Sequence, residues 1–422
     1  MQNLKMLGYL LKYYIEAKLF ILLHERWAKK FQLRKFRRMV KVASNGSVFY
    51  REIYKNAGVL DMQIKSFADI QKLPIVNKQL MLAAEKTQLL TTPVTDNMAV
   101  NSSSGSTGQP MSIYSTKREH FTSYVRTFLA LKGYNPLKKF VFIGMYEQKE
   151  RNEKQSFLYL LQKYTGLFKR EKYSVHTPPG EIVKKLHGRR IDYISSTVTC
   201  VQLLLDELKE TGSKLQVKYV VVSGETVFDD FRQEVNKYLN AALINVYGCT
   251  ELLSMAWSQA NAKGFNYLKN TAYLEYTNPV EINGEMYGEL MITNLLNKTQ
   301  PFIRYNIRDL VKIPLAAGNM GEIIGRIEDN IDLGNGKKLH RLQLCSMYKP
   351  LTECSQFKLI KKKDNKIYFQ TKLKPGEEKA STQQKIQAIW NEYIADCLLE
   401  VEFLDQIPLS TATGKFKIIE VE

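Results

Sequence analysis

Between Phe140 and Glu251 short apolar runs alternate with stretches of helical periodicity, and polar clusters sit just past the strand ends. Phe140-Val141-Phe142-Ile143-Gly144 reads as a buried strand, and Ile191-Asp192-Tyr193-Ile194 as a short one before a helix over 199–211. Tyr219-Val220-Val221-Val222 has the unbroken apolar character of a strand covered on both faces. It ends in Ser223-Gly224-Glu225-Thr226, and a helix over 228–239 follows. Leu243-Ile244-Asn245-Val246 is the next strand, ending in Tyr247-Gly248-Cys249-Thr250-Glu251. Alternation of this kind builds an α/β sheet, and open α/β sheets bind ligands beyond the carboxyl ends of their strands.

A further polar stretch lies upstream, at Asn101-Ser102-Ser103-Ser104-Gly105-Ser106-Thr107-Gly108-Gln109-Pro110. Nothing in it can anchor a core. Gly105 and Gly108 allow backbone geometries that a Cβ obstructs. Successive N–H groups of such a loop can curl around an anion, with the hydroxyls of Ser103, Ser104, Ser106 and Thr107 as added donors. It lacks the spacing of a Walker loop and of a dinucleotide fingerprint. Taken alone, a flexible Ser/Gly linker is an equal reading.

Two more clusters follow: Arg304-Tyr305-Asn306-Ile307-Arg308-Asp309, and the turn Ser410-Thr411-Ala412-Thr413-Gly414-Lys415-Phe416-Lys417. Each has a plain alternative. Thr250 can cap an ordinary helix start at Glu251. Asp309 can be a solvated strand residue paired with Arg308, and Lys415 an exposed hairpin lysine. As a set they supply what a nucleoside triphosphate needs: a phosphate nest, a carboxylate for Mg²⁺, a ring against the base (Tyr247) and a carboxylate for ribose hydroxyls (Asp309).

With 422 residues, two domains are expected. From residue 270 the pattern turns to β, and Gly325-Arg326-Ile327-Glu328-Asp329-Asn330 reads as a linker turn. Beyond it come β (356–371), α (381–398), β (399–406) and β (415–421). The expected fold class is therefore α/β: a large N-terminal domain with α/β sheets and a β-rich subdomain, and a small α+β module after it.

No run of eighteen apolar residues suggests a membrane span, and no signal peptide is read. Five cysteines, an odd number without zinc spacing, fit free thiols in a reducing cytosol, and the five histidines show no metal spacing. The net charge of +19 is uneven: residues 1–58 hold thirteen Lys/Arg against three Glu. A basic face of this kind suits an anionic partner. Residues 2–43 read as helical, with Leu4, Leu7, Leu11 and Tyr14 on one stripe, expected to pack on the body of the protein or else to lie on a membrane. No nucleic-acid-binding motif is present, so no nucleic-acid partner is expected.

Four stretches make the reading more specific: Val48-Phe49-Tyr50-Arg51, Leu73-Pro74-Ile75, Pro301-Phe302-Ile303-Arg304-Tyr305, and Gly325-Arg326 leading to Leu333-Gly334-Asn335-Gly336. With the clusters above, and in this order, they resemble the adenylate-forming superfamily of acyl-CoA synthetases, luciferase-like enzymes and adenylation domains. The likeness is to the branch of phenylacetate–CoA ligase and of the adenylating proteins of capsule-polysaccharide clusters, over residues 45–422.

The resemblance implies a basic N-terminal helix (1–44), a large adenylate-forming domain (45–325) and a small mobile lid (326–422). It implies that Ser103, Ser104, Gly105, Ser106, Thr107 and Gly108 hold the ATP phosphates. Gly224, Glu225 and Thr226 would line the adenine, with Tyr247 and Gly248 against its ring. Thr250 would touch the α-phosphate and Glu251 would hold Mg²⁺. Asp309 and Arg326 would bind the ribose, Glu328 or Asp329 would be the hinge, and Lys415 would be the catalytic lysine.

The implied reaction is ATP-dependent adenylation of a carboxylic acid, then acyl transfer to the thiol of CoA or of an acidic carrier protein's phosphopantetheine. The implied location is the cytoplasm, with the basic N-terminus as a means of peripheral contact with the inner membrane surface. Two alternatives stand beside it: transfer to an amine or hydroxyl in polysaccharide or natural-product biosynthesis, and a basic nucleic-acid- or membrane-binding protein with a vestigial nucleotide site. The sequence departs from the family pattern at Gln109, where a lysine is usual, at Glu328, where an aspartate is usual, and in the basic Lys337-Lys338-Leu339-His340.

Overall fold

The stretch expected to be one long helix folds as two. Helix α1 (Gln2–Leu22) stops at Leu23–His24, where the His24 ring accepts from Arg26 N and starts α2 (Glu25–Gly46). The computed structural model describes residues 2–96, 98–102, 109–120, 137–144, 170–259, 262, 264–282, 284–314, 319–327, 330–334, 337–348, 350–362, 366–374, 376–394, 397–405, 407 and 418–421. These divide between two compact units, Met1–Ile307 with Lys312–Glu322, and Arg308–Val311 with Ile323–Glu422.

In the first unit Ser47 caps α3 (Val48–Asn56), and Asn77 caps α5 (Lys78–Ala83) by accepting from Leu80 N at 2.9 Å. Between them lies the short α4 (Phe67–Ile70), and after them α6 (Lys86–Leu89). Strands β1 (Met98–Ser102) and β2 (Ser112–Thr116) pair antiparallel with Ser102 opposite Ser112, so the Ser/Gly stretch is the connection of a hairpin.

The main sheet is built from β3 (Phe140–Gly144), β4 (Arg170–Ser174), β5 (Arg190–Ser196), β6 (Gln216–Ser223), β7 (Ala242–Cys249), β8 (Leu253–Gln259) and β9 (Asn266–Tyr267). The strand order is β4-β3-β5-β6-β7-β8-β9, parallel from β4 to β7 and antiparallel beyond. Helices α7 (Pro179–Leu186), α8 (Val198–Thr211) and α9 (Asp229–Leu239) pack on one face with Val220 and Val222. The other face carries Val221, Ile244 and Trp257 under Ala17 of α1. The apolar run 219–222 is thus covered from both sides, as its composition requires. Phe140, Tyr193 and Tyr219 stack in a row across neighbouring strands, with centroids 5.7 and 5.1 Å apart.

α1 docks by the edge opposite to the one expected. Glu16 accepts from Lys35 Nζ at 3.0 Å and from Asn270 Nδ2 at 2.9 Å. Arg118 lies 3.8 Å from the Tyr9 ring centre and donates to Tyr13. Ala17 is fully buried and Phe20 packs edge-on against Phe31. Leu11 and Tyr14, expected to face the body, are exposed. A charged residue inside the inner stripe finds polar partners there, and these override the hydrophobic pattern.

After β10 (Ala272–Ile282) and β11 (Glu285–Asn294), an antiparallel hairpin, the chain enters a buried buttress. The Tyr50 hydroxyl accepts from Ile303 N at 2.9 Å and donates to Pro301 O at 3.1 Å. Arg304 holds Glu275 through Nε at 3.2 Å to each carboxylate oxygen, and its Nη1 donates to Gln71 O at 2.8 Å and to Leu73 O. Val76 N bonds Arg304 O, and Asn306 N bonds Val76 O. Three of the stretches that carry the sequence resemblance are therefore the struts of the unit. Arg304 has φ +47°, a strained setting for a side-chain-bearing residue that its own guanidinium contacts hold in place.

Strand β12 (Tyr305–Lys312) leads to the second unit, where Asp309, Leu310 and Val311 pair with β13 (Ile323–Arg326). Gly325 and Arg326, expected in a linker turn, lie in this strand. Gly325, at φ +136°, marks the irregular register there. Then come the hairpin β14 (Asn330–Gly334) and β15 (Lys337–His340), the helix α10 (Arg341–Met347), and β16 (Cys354–Lys361) with β17 (Ile367–Leu373). The strand expected over 356–371 is this β16–β17 hairpin. Helix α11 (Lys379–Tyr393), β18 (Leu399–Phe403) and β19 (Ile419–Val421) complete the unit. The sheet order is β18-β17-β16-β19, and Trp390, Phe369 and Ile386 fill its core without exposure.

Burial raises the Glu275 carboxyl above the usual range, and Arg304 opposes that shift. Arg304→Ala leaves this carboxylate buried without its counter-charge. We expect a loss of about 3–5 kcal/mol in urea unfolding. The folded state then binds the Glu275 proton more tightly than the unfolded chain, so stability falls as pH rises through the folded pKa. The deficit of Arg304→Ala against the parent is expected to be smaller in acidic buffer than at neutral pH. A pH-independent deficit would disprove the charge explanation.

Candidate functional site

Parallel register brings two of the sequence clusters to one edge. Ser196 lies opposite Val222 and Ser223 opposite Val246, so β5, β6 and β7 all leave the sheet at the same end. Gly224 takes φ +82°, a turn that a side chain resists. Glu225 then bends back: its Oε2 accepts from Thr199 N at 2.7 Å, in the first turn of α8, beside the Thr197 cap that accepts from Cys200 N at 3.3 Å. An otherwise orphaned helix donor and a carboxylate satisfy each other there. Thr226 follows, half-buried.

Tyr247 is half-buried at the end of β7, with its ring centre 6.1 Å from that of Phe265. Past Gly248 and Cys249 no helix begins. The chain reverses through Thr250 and Glu251 into β8, with Leu252 N bonded to Cys249 O at 3.2 Å and Leu253 at φ +60°. The reading of Thr250 as a helix cap is therefore corrected: antiparallel pairing of Cys249 with Leu253 claims the backbone that a helix would use. The turn is tied down from outside. Asn294 Nδ2 donates to Glu251 O at 2.9 Å, and the Tyr305 hydroxyl donates to Glu251 Oε1 at 3.1 Å. Burial, with the Glu251 charge added, pushes the Tyr305 phenol far above its ordinary range, so it remains a donor.

A shallow, open cleft lies over this turn, lined by Thr250, Glu251, Asn101, His120, Glu119 and Asn294 among others. Asn101, at the root of the Ser/Gly connection, has its Nδ2 3.2 Å from His120 Nδ1. Glu119 accepts from Thr116 N, Thr116 Oγ1 and Thr299 Oγ1 with one oxygen and from Lys298 N with the other, all within 2.8–2.9 Å. Asn297 Nδ2 donates to Tyr114 O, and Gln300 Oε1 accepts from Tyr114 N. These bonds pin the end of β2 to the 294–300 segment and so fix one wall of the cleft. Burial pushes the His120 imidazole below its ordinary range, which favours the neutral ring.

In the second unit Asp309 and Arg326 stand opposite each other in the β12–β13 ladder, with Arg326 Nε 3.4 Å from Asp309 Oδ1. Asp309, expected either as a ribose ligand or as a partner of Arg308, thus meets Arg326 and is mostly buried. Ser103, Ser104, Gly105, Ser106, Thr107 and Gly108 lie outside the described residues, as do Glu328, Asp329 and Lys415. Cys200, Cys354 and Cys397 are free thiols, and among the described residues no group of three or more His, Cys, Asp or Glu could hold a metal.

Sequence reasoning missed the residues that orient the turn. Tyr305 stood in a quoted motif with no role attached, and Asn294, Asn101, Glu119 and His120 were not singled out. Their partners are far away along the chain, which no local pattern reveals.

No family model matches the chain. In sequence it is similar to the phenylacetate-coenzyme A ligase of Thermus thermophilus, with 23% identity over 324 residues, covering 71% of this chain and 70% of that protein. It is similar also to the phenylacetate-coenzyme A ligase of Escherichia coli K12, with 23% identity over 318 residues and 71% of each chain covered. In structure it is similar to a 2-hydroxyisobutyryl-CoA ligase in the postadenylation state in complex with 2-HIB-AMP. The TM-score is 0.73 at 14% identity, over 95% of this chain and 90% of that one. The fold is that of the adenylate-forming ligases, as the sequence resemblance implied.

His120 is expected to titrate below the ordinary imidazole midpoint of about 6.5 when its ring protons are followed by NMR. A depressed folded pKa means that the unfolded chain binds this proton more readily. The stability due to neutral His120 is complete above the unfolded pKa and lost as pH falls toward the folded one. His120→Gln should flatten that acid limb, and a midpoint at or above the ordinary value would refute the burial argument.

Proposed function

We propose that this chain, an adenylate-forming ligase related in sequence to the phenylacetate–CoA ligases, activates a small organic acid with ATP and hands the acyl group to the thiol of CoA. The observation that carries the reading is the Tyr247–Glu251 turn. It presents a ring, a hydroxyl and a carboxylate beside the Gly224–Glu225 turn, at the carboxyl edge of the parallel strands. An aromatic or other organic acid is the substrate class assigned. The same thiol is offered by the phosphopantetheine of an acidic carrier protein, and an amine or hydroxyl acceptor is the alternative. The reaction takes place in the cytoplasm.

In the first half-reaction an oxygen of the acid's carboxylate attacks the α-phosphorus of ATP, and the bond to pyrophosphate breaks. Both reactants are anions, so positioning and charge neutralisation dominate the barrier. The backbone and hydroxyls of Ser103–Gly108 hold the phosphates, without the lysine that Gln109 replaces. Gly224, Glu225, Thr226, Tyr247 and Gly248 contact the adenine, and Thr250 the α-phosphate. Asp309 and Arg326 take the ribose, their pairing orienting the carboxylate toward the hydroxyls. Lys415 places a cation where charge moves, and Glu328–Asp329 provide the hinge of the module that carries it. In the second half-reaction the thiol sulfur attacks the acyl carbon, and AMP leaves with the oxygen it received.

The residues present fit Mg²⁺. Glu251 is a hard oxygen donor, and a single carboxylate completed by substrate phosphates is the usual magnesium arrangement. When bound, Mg²⁺ supplies neutralisation of the phosphate charge. Tyr305 and Asn294 orient Glu251 for this by occupying one carboxylate oxygen and the backbone carbonyl.

Pyrophosphate release in the presence of ATP, Mg²⁺, CoA and a panel of aromatic, hydroxy- and fatty acids tests the reading, and release with no acid of the panel would count against it. Asp309→Ala is expected to weaken ATP binding by about 1–3 kcal/mol in calorimetry. Lys415→Ala is expected to lower ATP–pyrophosphate exchange roughly a hundred- to thousandfold. It should spare thioester formation from a chemically made acyl-adenylate. An equal fall in both half-reactions would make the lysine structural.

A further inference from the structure

The outward face of α1 is apolar where a surface helix is ordinarily polar. Leu11, Ile15, Leu19 and Leu22 follow at intervals of four, four and three residues, which sets them on one stripe. They are exposed by 61, 49, 58 and 82%. The helix is held by its opposite edge, through Glu16, Ala17 and Phe20, so the stripe is surplus to the fold. At the corner into α2, Leu23 and Trp27 are exposed as well, Trp27 by 59%.

Charge decides what covers this face. The exposed side of α2 carries Arg26, Lys30, Arg34, Arg37, Arg38 and Lys41, and none of them is ion-paired with a carboxylate among the described residues. The Lys30 ammonium lies 5.4 Å from the Trp27 ring centre, which places a cation directly beside the apolar corner. Pairing two copies through this face would bring two strongly basic surfaces together. A nucleic acid would meet the cations but leave the leucines in water. An anionic bilayer answers both: acyl chains accept the leucines and tryptophan, and headgroup phosphates accept the arginines and lysines. Among the described residues no helix is long and apolar enough to cross a membrane, so the geometry is that of a helix lying in the interface.

We propose that α1 and the start of α2 form an in-plane anchor. The Leu11–Leu22 stripe and Trp27 enter the boundary of an anionic lipid surface, and the α2 cations rest on its headgroups. The inference is independent of the adenylation chemistry, and its test needs neither ATP nor an acid.

Trp27 is a built-in reporter, because the other two tryptophans, Trp257 and Trp390, are buried. The full chain is mixed at low salt with vesicles of phosphatidylcholine alone or with about a third phosphatidylglycerol. It is expected to float with the anionic vesicles only, with a blue shift of emission that Trp27→Phe abolishes. Leu19→Glu combined with Leu22→Glu should lower the bound fraction about tenfold or more. Arg34→Gln with Arg38→Gln should do the same at low salt. These positions are exposed, so thermal melts should match the parent. Failure to float overturns the proposal. So does flotation that ignores the leucine substitutions, which would make the contact purely electrostatic. A lipid-free dimer in sedimentation, dissolved by Leu22→Glu, would assign the stripe to a second copy instead.

Discussion

A buried charge must be answered where it lies, and in this chain the guanidinium of Arg304 is answered from three directions. Glu275 takes its charge, while the carbonyls of Gln71 and Leu73 take its remaining donors. The contacts tie the loop that leads into β12, which carries Arg304, to two distant segments: residues 71–73 after α4, and the first strand of the β10–β11 hairpin. The cost of desolvating Glu275 is visible in its raised pKa, and Arg304 offsets it in part. Tyr305, next in the chain, is aimed by this anchoring at Glu251. The residue that supports the fold and the residue that steadies the proposed metal carboxylate are thus consecutive.

The parallel core was readable in the residues because both faces of its strands are covered. Runs such as Tyr219–Val222 and Leu243–Val246 cannot be anything polar-faced, and the helices between them announce themselves by period. The edge strand β4, Arg-Glu-Lys-Tyr-Ser, was not readable: an edge tolerates charges that a central strand excludes, so its composition carries no strand signal. The α1 stripe was seen but assigned to the wrong side. Periodicity locates an apolar face without saying what faces it, and Glu16 with its two partners settled the matter. Thr250 could cap a helix or close a hairpin, and only the pairing partner, β8, distinguishes the two. Gly325 was legible as a break in pattern but not as a strand residue at an irregular register.

For the candidate site the division is similar. The residues proposed to touch small ligands sit in short, compositionally odd segments of the sequence. The residues that aim them are ordinary asparagines, tyrosines and glutamates. Their meaning comes from partners such as Asn294 for the Glu251 carbonyl, or Thr299 and Lys298 for Glu119. Local sequence marks the groups proposed for the chemistry, and long-range hydrogen bonds set the direction of Glu251 and Glu119.

The Tyr50 hydroxyl has a consequence for how the chain is made. It bonds to residues 251 and 253 positions further along. On a ribosome adding about 5–20 residues per second, its partners emerge roughly 12–50 s after it does. Throughout that interval α3 carries a buried-type tyrosine with nothing to bury it, next to the leucine-rich α1. Vectorial synthesis therefore exposes the apolar start of this protein for longer than the time most single domains need to fold. Such a nascent chain is a natural client for a holding chaperone.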